Sequence, residues 1–318
     1  MKANFKTIAL AISMAFATGA AVASEAHITQ YGSSNDAFTA QDNATGSTAR
    51  TLQDGRGNSA GNQQGPTGGT GGILQKNTTG STAYIEQLGN RNDAGLRQTS
   101  TAFATGTIYQ HGNDNDARIE QTSIALGASA IIHQDGNNHD AAIDQSNSSR
   151  VSAKAYQDGN GNFASLSQTW SSGSSIDTVQ VGSGNRAYAS QSFVALSDIS
   201  VEQSGSNNYA NATQSGGGDL GATIKQNGNA NRAYTDQSGL SNDALVKQTG
   251  DENYARANQS GFNSDSLITQ AGNKNHATST QIGTGFSRNY SVIAQNGNGH
   301  VATTYQHGSG NRAGINQK

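Results

Sequence analysis

The chain of 318 residues contains no cysteine, which excludes a disulfide framework and any thiolate-bound metal. Its single proline excludes a proline-rich spacer. Aromatic residues make up 6%, charged residues 13% and hydrophobic residues 32%, while the 40 glycines add no side chain to a core. Large apolar side chains are therefore too scarce for two conventional layered cores of the size this length would suggest. The formal net charge of −3 is too small for a polybasic nucleic-acid surface or an acidic solvating tail. Long apolar runs are also missing beyond the first residues. Lys2 and Lys6 precede an apolar, small-residue run from Thr7 to Ala21, and Ala21-Val22-Ala23 fits the small-x-small rule for signal peptidase. That pattern predicts a secretory signal peptide over 1–23, too short to span a membrane as a mature helix.

What the sequence does have is a repeat. Gln recurs at steps of 11 to 14 residues from Gln30 to Gln317, and paired steps give a period of about 23. Each pair reads Q-x-G-x-x-N-x-A-x-x-x-Q. Twelve pairs, beginning at Gln30, Gln53, Gln87, Gln110, Gln134, Gln157, Gln180, Gln203, Gln226, Gln248, Gln270 and Gln295, keep the Gly, the Ala and the second Gln. His139 and His300 replace the Asn in two of them.

Alternate residues of a strand point to opposite faces. Counting back in twos from Gln203 gives Val201, Ile199 and Ser197; from Gln121 it gives Ile119, Ala117 and Asn115; from Gln168, Leu166, Ala164 and Asn162. One face thus repeats small polar, small apolar, larger apolar and Gln. The other is variable and polar, and it carries Tyr188, Tyr209, Tyr234 and Tyr254. The x-G-x-x-N between them is a turn. Strand, turn, strand, turn at a fixed period predicts an all-β chain, a parallel β-solenoid of about 13 coils of about 23 residues with two facing parallel sheets.

In such a stack every inward position becomes a ladder. The expected rungs are Gln110, Gln121, Gln134, Gln145, Gln157, Gln168, Gln180, Gln191, Gln203, Gln214, Gln226, Gln237, Gln248 and Gln259, with Asn115, Asn162, Asn185, Asn208, Asn231 and Asn253 beside the turns. An unpaired buried amide costs about 1–3 kcal/mol, whereas a stacked one donates to one neighbour and accepts from the other. A one-residue slip would bury the charged face, so the Gln rows pin the register. Gly112, Gly136, Gly159, Gly182, Gly205, Gly228, Gly250 and Gly272 are the expected turn glycines.

The first motif begins soon after the signal and only Lys318 follows the last Gln, which predicts uncapped terminal coils able to template another copy. The segments are then 1–23 signal peptide, 24–64 first repeats, 65–80 an irregular Gly-rich loop, and 81–318 the repeat solenoid. Gly65-Pro66 to Gly72 is a loop signal, and Gln75 is a rung without its following Gly or Ala. Gly283 to Arg288 looks like a second insertion.

The twelve copies of Q-x-G-x-x-N-x-A-x-x-x-Q, covering nearly the whole mature chain, closely resemble the curlin repeat of the curli fibre subunits of Gram-negative bacteria. The resemblance implies an extracellular functional amyloid, exported unfolded through an outer-membrane channel, nucleated at the cell surface and laid down as biofilm matrix. It implies as partners other copies of the same chain, a nucleator subunit, the export machinery, and abiotic or host surfaces, with no nucleic acid required and no cofactor. It maps the Gln and Asn rows onto that family's interior ladder. The chain has more repeats than the familiar major subunit and lacks a clear Gly/Asn-rich targeting segment after the signal. Its last stretch holds only Arg312 and Lys318, which favours a major subunit over the basic-ended nucleator.

Other chemistry is thinly supported. The seven His are scattered, no Ser-His-Asp or paired-carboxylate set stands out from the repeat, and the Gly-rich segment holds no acid or base, so an enzyme is not expected. The nine-residue acidic spacing of calcium-binding solenoids is absent. A monomeric surface-binding solenoid is the alternative class, though an ice binder would need a uniform outward Thr row. Asp135 with Asp158, and Glu120 with Asp144, hold equivalent outward positions in adjacent coils. Like charges so stacked oppose pairing and are candidate gatekeepers against early assembly, while Glu202 and Lys225 should attract.

Overall fold

A computed structural model describes residues 23–60 and 72–318. The leader, apart from Ala23, and most of the Gly-rich run fall outside the described residues. The chain divides into two compact units, Met1–Arg150 with Ala155–Gln157, and Val151–Lys154 with Asp158–Lys318. Each is a parallel β-solenoid, and no helix occurs among the described residues.

In the first unit, strands Glu25–Ser33, Thr48–Arg56, Thr82–Asn90, Thr105–Asn113 and Leu126–Asn137 stack on one face, and every pair so ordered is parallel with Gln on Gln and Gly on Gly. Strands Asp93–Thr99, Asp116–Thr122 and Asp140–Ser146 form the facing stack in the same manner. In the second unit, Ser175–Ser183, Asp198–Ser206 and Gly221–Asn229 build one face, and Phe163–Thr169, Arg186–Ala195 and Tyr209–Gly218 build the other. Two 18-residue strands, Arg232–Thr249 and Tyr254–Ala271, then run through both faces and pair in register.

The core is narrow because no strand buries more than three apolar residues, many of them Ala. Ile85, Ile108 and Ile132 stack beneath one Gln row, and Leu96, Ile119 and Ile143 beneath the other, all fully buried. Ser197, Ile199, Val201 and Gln203 are buried as one alternate set. The outward residues between them are half-buried or exposed. Trp170 lies outside, stacked on Phe193 with ring centroids 6.1 Å apart.

Two interruptions leave the ladders intact. Ser59–Ala60 aligns with the start of the first unit's facing strands, and Gly72–Lys76 continues that strand, with Gly72 on Gly95 and Gln75 on Gln98. An insertion therefore splits one strand between Ala60 and Gly72. Residues 72–80, placed by composition in an irregular loop, form rungs: Ile73 and Gln75 are buried, and Thr79 bridges to Thr45 and Ala102. In the second unit the step lengthens to 25 residues, and Gly283 to Arg288 hold the excess, with Phe286 90% exposed.

Small polar residues substitute for aliphatic ones at several inward places, and some are unmet. The Thr178 hydroxyl is buried without a hydrogen-bond partner, in register with Val201. Thr178→Val removes that unpaired group at nearly constant volume. It should stabilise the second unit by about 1 kcal/mol, read as a raised midpoint in urea.

Candidate functional site

The site is the ladder and the surfaces it generates. In the first unit one row runs through Gln30, Gln53, Gln87, Gln110, Gln134 and Gln157, each Nε2 donating to the next Oε1 at 2.6–3.0 Å. The facing row runs through Gln41, Gln75, Gln98, Gln121 and Gln145 at 2.7–2.8 Å. In the second unit, Gln180, Gln203, Gln226, Gln248, Gln270, Gln295 and Gln317 form one row at 2.7–2.9 Å. Gln168, Gln191, Gln214, Gln237, Gln259, Gln281 and Gln306 form the other at 2.7–3.0 Å. Every amide in these bonds donates toward the coil that follows in sequence. The remaining amide hydrogen reaches a main-chain carbonyl, as from Gln110 to Asp93 at 2.8 Å and from Gln203 to Arg186 at 3.0 Å.

The Asn residues fasten the turns to one another. Asn115 Oδ1 accepts from the His139 backbone N–H at 3.0 Å, and its Nδ2 donates to the Gly136 carbonyl at 3.0 Å. Asn185 does the same toward Asn208 and Gly205. Asn162, Asn208, Asn231 and Asn253 each donate to the turn glycine of the following coil at 2.6–3.1 Å. His139 supplies a backbone donor in the Asn position, and its Nε2 contacts the Asp135 carbonyl at 3.2 Å. The glycine column is obligatory for a steric reason. A Cβ on Gly112 would lie 1.8 Å from the Gly136 carbonyl oxygen, and one on Gly205 would lie 2.1 Å from that of Gly228.

The first rungs of the first unit and the last rungs of the second carry complementary groups. Among the described residues, Gln30 Oε1 and Gln41 Oε1 accept nothing. Gln317 Nε2 donates only to the Val301 carbonyl at 3.1 Å, and Gln306 Nε2 only to that of Tyr290 at 3.0 Å. Ile28, Ala37, Ala313 and Ile315, whose counterparts in inner coils are buried, are partly exposed there.

Outward columns repeat whatever charge or ring they carry. Asp93, Asp116 and Asp140 align in successive coils. Desolvation, then the two flanking carboxylates, push Asp116 up to about 6, and Asp93 and Asp140 are also raised by desolvation. Asp243 aligns with Asp265, both raised by desolvation, with Arg288 paired to Asp265 at 3.0 Å. Neither column was singled out in the sequence, where these aspartates sit about 22–24 residues apart; the available signal, for the first column, was Asp recurring just before the motif Ala. Rings stack as well. Tyr84, Tyr109, His133 and Tyr156 follow one another at 5.1–5.8 Å in the first unit. Phe163, Tyr188, Tyr209, Tyr234, Tyr254 and His276 do so at 4.5–5.6 Å in the second.

The proposed gatekeepers are placed unequally. Glu120 and Asp144 are in register, but Arg118 pairs with Glu120 and Arg97 lies 3.9 Å from it; Asp144 is raised by desolvation and by Glu120. Asp135 aligns with His111, and Asp158, in the other unit, accepts from Asn162 through its carbonyl at 3.0 Å. Lys225 binds both Glu202 oxygens at 2.8 and 2.9 Å. No group of three His, Asp or Glu among the described residues is arranged to hold a metal ion.

Residues 217–250 and 250–283 each match the family model of the curlin associated repeat. No curated protein matches the chain.

Two measurements test this geometry. Gln203→Ala orphans Gln180 Nε2 and Gln226 Oε1 in the interior and should cost about 2–4 kcal/mol in urea unfolding, against less than about 0.5 for the outward Ser204→Ala. Asp116 has a folded pKa above its unfolded value, so its contribution is favourable below about pH 4 and is lost as pH rises through about 6. Asp116→Asn should therefore melt with the parent near pH 4 and above it at pH 7.

Proposed function

We propose, from the two stretches that match the curlin associated repeat, that the chain is a secreted structural subunit that assembles end to end into curli-like amyloid fibres, serving surface adhesion and biofilm matrix outside the cell. The role is mechanical rather than enzymatic. Its principal partner is another copy of itself; a nucleator subunit, the outer-membrane export machinery, and abiotic or host surfaces complete the set, with no nucleic acid needed. It acts as a major subunit.

The observation that carries this reading is the single sense of the amide ladders. The first rungs of the first unit offer the acceptors Gln30 Oε1 and Gln41 Oε1, and the last rungs of the second unit offer the donors Gln317 Nε2 and Gln306 Nε2. A second copy added head to tail continues both rows as donor to acceptor, and Asn311 Oδ1 would meet the backbone N–H of Ser24, which opens the same turn column, as Asn289 Oδ1 meets that of Asn311. Joining like ends would set donor against donor, or acceptor against acceptor, over a partly apolar face. The fibre is accordingly polar. Stacked acids such as Asp93, Asp116 and Asp140 restrain assembly by mutual repulsion that protonation relieves.

A thioflavin-T time course on residues 24–318, followed by electron microscopy, tests the proposal. A lag that preformed fibres abolish, with labelled chain adding at one fibre end, is the expected result. Ile315→Lys, which puts a charge on the outermost face, should slow elongation of parent seeds. A chain that stays folded and monomeric at all concentrations overturns the polymer reading, and equal growth at both ends overturns its polarity.

A further inference from the structure

The aromatic ladder of the second unit is interleaved with arginine. Arg186 is in register with Tyr209, Tyr209 with Arg232, and Arg232 with Tyr254; in the column two residues along, Tyr234 is in register with Arg256. The tyrosine rings follow one another diagonally at 5.5 Å from Tyr209 to Tyr234 and from Tyr234 to Tyr254. All three guanidinium-bearing residues are exposed, and none forms an ion pair with an acid among the described residues. Arg256 is steadied by a 2.9 Å bond from Nε to Asn258. In the half-strands 186–190, 209–213, 232–236 and 254–258 that carry these columns, Asp236 is the one carboxylate. The result is a straight cationic and aromatic stripe on a polar, slightly acidic chain.

Its spacing selects a ligand class. Coils lie about 4.8 Å apart, so Arg186 and Arg232 stand about 10 Å apart along the stack, with a tyrosine between them. An extended chain of β-linked pyranoses advances by about one coil spacing per sugar. The sugars at Arg186 and Arg232, two apart, then each meet a guanidinium, the sugar between them lies over Tyr209, and Arg256 stands one coil beyond Arg232 in the neighbouring column. We propose that this stripe binds an acidic polysaccharide laid along the stack, with pyranose C–H faces on Tyr209, Tyr234 and Tyr254, carboxylates on Arg186 and Arg232, and Arg256 adding positive charge one coil farther along. Arginine suits the task because its planar fork takes a carboxylate through two N–H donors. An extended single-stranded nucleic acid advances farther per phosphate and falls out of step with the column. The assignment is independent of assembly, since every residue lies on one unit.

The test is fluorescence anisotropy of a labelled hyaluronan oligosaccharide, which has one carboxylate per disaccharide, titrated with full-length folded chain and, separately, with sedimented fibre. Salt-sensitive binding is expected. The triple variant R186Q/R232Q/R256Q should lose at least tenfold in affinity. The variant K76Q/K154Q/R312Q, which loses the same charge away from the stripe, should stay within twofold. The proposal is overturned if the control variant falls as far, if a neutral cello-oligosaccharide of equal length binds as tightly, or if oligothymidylate binds more tightly than the hyaluronan. Failure to form fibres leaves the folded-chain titration readable.

Discussion

The structure depends on one constraint, that a buried glutamine amide must find the same amide one coil away. Each such side chain brings two N–H donors and a carbonyl into an interior that offers no water, and three partners are needed to satisfy it. The facing strand supplies one main-chain carbonyl, and the preceding and following rungs supply the other two, as Gln180 and Gln226 do for Gln203. A lone coil therefore cannot satisfy its own glutamines. Stacking is built into the chemistry of a single repeat, and so is the incompleteness of any outermost rung. This explains how a sequence with so few large apolar residues holds a unique register. Sliding one strand by two residues would keep the inward face inward but would separate every Gln from its partner.

The same condition explains which parts of the fold could be read from the sequence. Counting in twos from Gln203 finds Val201, Ile199 and Ser197 on the inner face, and all are buried, because a strand has period 2 and the buried face tolerates no slip. The turn glycines could be read because no other residue allows backbones to meet as closely as at Gly112 and Gly136. Spacing misled at Gln53. Eleven residues on lies Gln64, yet the rung beside Gln98 and Gln41 is Gln75. The chain counts rungs and not residues, and a strand split between Ala60 and Gly72 costs the ladder nothing. The inward context carried the cue: Ile73 stands two places before Gln75, as Leu96 does before Gln98, whereas Asn62 stands before Gln64.

The outward chemistry was less legible because it belongs to columns rather than segments. Read along the chain, Asp93, Asp116 and Asp140 are ordinary turn-flanking acids. Read down the stack, they are three carboxylates at coil spacing, and burial, reinforced by its two neighbours, pushes the middle one up to about 6. Rings follow the same logic. Tyr188, Tyr209, Tyr234 and Tyr254 alternate between two positions in their strands, so no single register shows them in line, yet the diagonal contact between adjacent strands is short enough for phenol rings to touch. A solenoid multiplies each surface substitution by its neighbours, which makes columns the natural unit for its electrostatics and its recognition.

The two turns of a coil are not equivalent, and their difference accounts for where the repeat is most readily recognised. Up to about residue 200, the first turn is fastened by Asn while the second relies on serine: Ser174 Oγ accepts from the Ser197 backbone and Ser197 Oγ from that of Leu220. A hydroxyl can serve this purpose from several sequence contexts, so the second turn leaves a weak pattern. From Gln237 onward the second turn adopts the first turn's design, with Gly239 and Asn242, and Asn242 Oδ1 accepts from the Ser264 backbone as the first-turn asparagines do. Both halves of the coil are then alike, the ladder step contracts from 23 to 22 residues, and single strands run through both faces. Residues 217–283, where the curlin associated repeat is matched, span this stretch. The match thus marks where the two half-coils converge in sequence, while the ladder itself, which needs only Gln in phase, is built in each unit.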